Sequence, residues 1–111
     1  MTVYIDSMHA GFGRQAKCHM FADRDDELHA LASQVGMGRH LYQSDSPLGS
    51  HYAVPTGMRR ALIRAGAIEV TWKQTAAMTL RRHLLGSLGV PEDSVAWLLA
   101  RHQPPSAARI A

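Results

Sequence analysis

The sequence predicts an α/β (or α+β) fold: a small sheet of about four strands, helices packed on it, and a helical pair at the C-terminus. Three observations predict it. Strand-like and helix-like periods alternate up to Trp72 in the order β, β, α, β, α, β. After Trp72 the strand period disappears and two helical segments follow. The chain has 111 residues, 46% apolar and 19% charged, which suits one globular domain with a modest core.

The elements follow in order. "TVYID" is β-branched and aromatic, a buried strand ending at Asp6. "SMHAGFGRQ" is a loop. "KCHMFAD" alternates as a second strand, with Lys17, His19, Phe21 and Asp23 on one face and Cys18, Met20 and Ala22 on the other. Asp23 is expected to cap the next helix by accepting from the backbone N–H of Asp25 or Asp26. Leu28, Leu31, Ala32 and Val35 form the apolar stripe of that helix, and Gly36 ends it. Residues 37–50 read as one long polar loop. "HYAV" is a short strand up to Pro55, and Thr56 is expected to cap a helix through "GMRRALIRA". "AIEVTW" is a strand, with Ile68, Val70 and Trp72 sharing a face. "QTAAMTLRRHLLGSL" is a helix anchored by Met78, Leu84, Leu85 and Leu88. Pro91 opens a second, "PEDSVAWLLARHQ". This divides the chain into an α/β domain (1–72), a helical extension packed on it (73–103) and a tail (104–111).

Charge is unevenly placed. Residues 1–56 hold four Lys/Arg against six Asp/Glu and five of the seven histidines; residues 57–111 hold eight Lys/Arg against three acids. A histidine-bearing acidic half beside a basic half suits proton transfer or metal binding next to a surface that attracts phosphate. One cysteine, Cys18, cannot form an internal disulfide, which fits a reducing cytoplasm. The N-terminus lacks a signal-peptide pattern, and no apolar run is long enough to span a membrane, so a cytoplasmic location without membrane contact is expected.

Several residues can carry chemistry. Asp6 ends a strand, where ligands of open α/β sheets tend to bind, and a carboxylate there can act as a base or hold a divalent metal. His19 and Asp23 share a strand face but lie roughly 13 Å apart, so only a bound group can join them. Asp6, His19 and Asp23 are the metal-ligand candidates, and the metal itself is left open; no H-x-x-x-H, C-x-x-C or H-E-x-x-H spacing supports a zinc site. His29 can pair with Asp25 along the helix. Cys18 points away from His19, which argues against a Cys/His nucleophile. In "GFGR", backbone N–H groups and Arg14 can meet a phosphate, although the P-loop lysine and the third glycine of a dinucleotide fingerprint are missing. His51 and Tyr52 open a strand. Arg59 and Arg60 sit where they oppose the helix dipole, a mismatch that an anion would relieve. The last helix begins with Glu92 and Asp93 and runs into Val95, Trp97, Leu98 and Leu99. That order repels DNA phosphate and favours core packing or a dimer contact through Trp97. Arg81 and Arg82 remain able to touch a nucleic-acid backbone.

"VYIDSM", "FGR", "CHMFAD", "DELHALASQVGM", "HY" and "RRALIRAGAIEV", in this order, resemble DUF4031, a small bacterial and phage domain family, over roughly residues 1–72. The resemblance implies Asp6, Arg14, His19, Asp23, His29, His51 and Tyr52 as site residues and supplies no substrate. In that family pattern an aspartate usually follows "HY", where this chain has Ala53. Beside a structural or regulatory metal domain, two functions are therefore expected in competition. One is a domain that binds a nucleotide or nucleic acid and hydrolyses or transfers it. Asp6, His19 and His51 would be its catalytic groups, and Arg14, His29, Tyr52, Arg59 and Arg60 its ligand-binding groups. The other is a non-catalytic interaction protein, in this reading phage-encoded, that works through its C-terminal helices and basic face on a protein partner or a second copy.

Overall fold

The computed structural model describes residues 2–7 and 17–102. Five strands form one mixed sheet: β1 (Val3–Asp6), β2 (Lys17–Ala22), β3 (Tyr42–Gln43), β4 (His51–Pro55) and β5 (Ile68–Val70), in the order β3-β4-β2-β1-β5. β1 and β5 are parallel and the other neighbours antiparallel. Four helices complete the described chain: α1 (Asp25–Gln34), α2 (Arg59–Arg64), α3 (Trp72–Leu85) and α4 (Pro91–His102). The fold is α/β, with one strand more than the four expected. The extra strand is β3, where Tyr42 and Gln43 pair with Tyr52 and His51. Its two residues are too few to show a period between Gly38 and Pro47, so the segment reads as loop.

Strand alternation divides the core in two. Val3 and Ile5 of β1, Cys18, Met20 and Ala22 of β2, and Tyr52 and Val54 of β4 point to one face. There they pack on Leu28, Leu31 and Ala32 of α1 and Leu62 of α2. Tyr4, Phe21 and Val70 point to the other face and are closed by Met78 of α3 and by Leu88. Tyr4 and Phe21 stack with centroids 5.8 Å apart. Burying a side chain such as Phe21 stabilises by about 1.5–3 kcal/mol.

α3 meets the sheet with a compact stripe. Thr75, Ala77, Met78 and Thr79 are buried, while Leu84 and Leu85, expected as anchors, are exposed. Threonine is tolerated there because its hydroxyl bonds within the helix: Thr75 Oγ1 donates to Thr71 O and Thr79 Oγ1 to Thr75 O. α3 also begins earlier than expected. Thr71 and Gln74 form a capping box, so Trp72 starts a helix and is exposed instead of ending a strand. Ile68 is exposed as well, leaving Val70 as the buried residue of the three. A tight 3-10 turn, Thr56–Met58, separates β4 from α2, and no side chain caps α2.

Asp23 does not cap α1. The N-cap is Arg24, without a side-chain cap, and the Asp23 carboxylate accepts the backbone N–H of Leu88 at 2.7 Å. The acid thus ties the end of β2 to the segment after α3. That segment runs back along α3: Gly89 lies beside Arg81, and the Pro91 carbonyl accepts from Gln74 Nε2. No described helix is long and apolar enough to cross a membrane.

Candidate functional site

The antiparallel register of β1 and β2 builds the first contact. One step beyond the Ile5–Met20 pair, Asp6 faces His19. Asp6 is fully buried, and both carboxylate oxygens go to His19: Oδ1 accepts the backbone N–H at 2.8 Å and Oδ2 lies 3.0 Å from Nδ1. A ring N–H at Nδ1 donates to this oxygen, and in that tautomer Nε2 presents its lone pair. The His19 side chain keeps 14% of its surface open to solvent, while Asp6 keeps none. The imidazole is therefore the exposed end of the pair.

His51 stands next to it. β4 pairs with β2 so that Ala53 lies directly across from His19 and His51 falls one diagonal away on the same face. The two imidazole centroids are 5.4 Å apart. His51 Nδ1 lies 3.0 Å from the Gly49 carbonyl and 3.2 Å from Ser46 Oγ. The carbonyl again fixes the proton on Nδ1 and leaves Nε2 bare. Burial pushes the His51 pKa down, and the nearby His19 and Arg82 add to the shift; the bond to Gly49 and the Asp6 charge oppose it without reversing it. His51 is thus held neutral. Asp6, His19 and His51 meet on one face of the sheet, with Ala53 directly across from His19.

Cations gather at the Asp6 end of the sheet. Lys17 shares the His19 face of β2 and pairs with Pro55. Arg59 Nε donates to the Asp6 carbonyl at 3.0 Å, and its terminal nitrogen pairs with Glu69 at 2.9 Å. Arg59 is therefore a brace between β1 and β5, while Arg60 beside it is exposed. Arg14 lies outside the described residues, as does the rest of "GFGR".

The remaining candidates sit on the opposite face. His29 Nδ1 meets Tyr52 Oη at 2.6 Å, and both rings pack on Tyr42, with centroids 4.6 and 5.5 Å away. Asp25 does not pair with His29. It accepts from Tyr42 Oη at 2.7 Å. Tyr52 belongs to the core on the α1 side, and burial raises its pKa. His29 and Tyr52 thus hold α1 against β3 and β4, with the sheet between them and His19. Asp23, bonded to Leu88, stands apart from Asp6 and His19. Among the described residues no group of three or more His, Cys, Asp or Glu could hold a metal ion. Cys18 is buried on the face away from His19, where desolvation and the Asp6 charge raise its pKa.

Arg82, read from sequence as a cation for nucleic-acid phosphate, turns inward. Its guanidinium donates to the carbonyls of Ala22, Leu48 and Ser50 at 2.6, 3.1 and 2.8 Å. It thereby fixes the loop that carries Ser46 and Gly49, the groups that orient His51. Nothing in "TLRRHLL" separates Arg82 from Arg81; only the sheet-facing phase of α3 could have singled it out.

The family described as "Protein of unknown function (DUF4031)" matches residues 3–83, from the start of β1 to near the end of α3. No curated protein and no solved structure matches the chain.

Proposed function

We propose that this chain, which belongs to the DUF4031 family, binds a phosphate-bearing ligand, a nucleotide or nucleic acid, and hydrolyses its phosphoester. The observation that carries this reading is the buried Asp6 carboxylate gripping His19 through both oxygens. That grip orients a partly open imidazole with Nε2 bare, the arrangement of a general base. Nε2 takes a proton from an attacking water as the water oxygen bonds to phosphorus. The phosphorus–oxygen bond to the leaving group breaks, and the imidazolium returns the proton to that oxygen. His51, held neutral by burial, is an acceptor that steadies the attacking water. Lys17, on the His19 face of β2, supplies charge for the phosphate oxygens, more loosely than a bidentate clamp would.

Release of p-nitrophenol from bis(p-nitrophenyl) phosphate, with thermal shifts against nucleotides and short DNA and RNA, tests the reading. His19→Ala leaves the fold intact and loses at least about 100-fold in rate, in line with loss of a general base. Asp6→Asn loses a similar factor by releasing the ring. A folded His19→Ala variant that binds and turns over as the parent does removes the proposal.

A further inference from the structure

The end of α3 and the helix that follows it carry a second feature, most of which lies beyond the family match, which stops at residue 83. Two guanidiniums stand over one indole: Arg81 Cζ is 5.7 Å and Arg101 Cζ 5.4 Å from the Trp97 ring centroid. Among the described residues, neither arginine has a carboxylate within ion-pair reach. Arg81 also buries its Nε with no hydrogen-bond partner. Two like charges are thus crowded on one ring without a counter-charge, an arrangement that attracts an anion.

Apolar surface surrounds them. Leu84 and Leu85 follow Arg81 by three and four residues, which places them beside it on the same helix face, and they are 44% and 59% exposed. Val90, next to the Gly89 that touches Arg81, is 49% exposed. We propose that this patch docks an acidic, amphipathic segment of a partner protein, its apolar side chains meeting Leu84, Leu85 and Val90 and its carboxylates meeting Arg81 and Arg101.

Three other occupants fit less well. A nucleic-acid base finds the Trp97 ring already stacked by guanidiniums. The chain's own residues 103–111 contain one arginine and no acid, so they bring no counter-charge. A two-fold dimer centred on this patch would bring the copy's Arg81 and Arg101 into the same contact.

The test uses the full chain and two fluorescein-labelled helical peptides. They share leucines at helical spacing but carry either glutamate or lysine at every charged position. Anisotropy should show the glutamate peptide binding at least about tenfold tighter than the lysine one, weakening as salt rises. Arg81→Glu with Arg101→Glu should abolish that preference, and Leu85→Asn should weaken binding while leaving the charge preference in place. Circular dichroism confirms that each variant is folded. Equal binding of the two peptides, absence of binding, or an unchanged double variant overturns the proposal. So does tighter binding of a single-stranded oligonucleotide at the same residues, or a dimer in light scattering that the double variant dissolves.

Discussion

Asp6 and His19 lie thirteen residues apart in sequence and in contact in space. Each was legible alone: an acid at a strand end, and a histidine on the polar side of an alternating strand. Their pairing was not, because it depends on the register of β1 against β2, and a shift of one residue would put the two on opposite faces. His29 and Tyr52 show the reverse. Both are histidine or tyrosine beside chemistry-bearing neighbours, and only the division of the sheet into two faces separates them from His19. His51 carries a prediction at this scale. Burial lowers its folded pKa below the ordinary 6.5, so the unfolded chain takes up its proton at higher pH than the folded one. The stability this contributes is present above about pH 6.5 and is lost as pH falls from there through the lowered value. Urea denaturation from pH 7.5 to 5 should therefore show the parent losing stability, with a flatter curve for His51→Gln. Parallel curves would contradict it.

At the scale of elements, the long periodic segments were legible and the short or self-capping ones were not. α1 has its stripe and its stop at Gly36, which adopts φ 77° as a helix-ending glycine does. β3 has two residues and leaves no pattern. "AIEVTW" kept the strand period across a T-x-x-Q capping box, so the start of α3 was hidden inside an apparent strand. Arg82 is the connection between elements that most shapes the site. It bonds the end of β2 and two carbonyls of the loop before β4. Arg82→Met leaves three carbonyls without their donor and should cost about 3 kcal/mol or more. Hydrogen exchange should rise first in residues 44–50, while Arg60→Met, which alters an exposed side chain, changes stability by less than about 0.5 kcal/mol. Equal effects of the two substitutions would remove the role given to Arg82.

For the whole molecule, the sequence suggests a boundary near residue 72, whereas the family match continues to residue 83. α3 packs on the sheet across both limits. Met78 and Leu88 close the core over Tyr4, Phe21 and Val70, and Arg82 braces the loop of His51. A chain ending at residue 72 should expose that face, bind a hydrophobic dye and lack a cooperative thermal transition. A cooperative melt of residues 1–72 would show that α3 is an accessory.

One geometry underlies the proposed chemistry: a buried acid presenting an imidazole outward with its far nitrogen free. Nitrogen NMR of the His19 ring tests it most directly. The predicted spectrum has Nδ1 protonated and Nε2 bare, and the Nε2 signal moves when a nucleoside monophosphate is added. A ring protonated at Nε2 with Nδ1 bare, or an Nε2 signal unmoved by every phosphate ligand, would contradict the account.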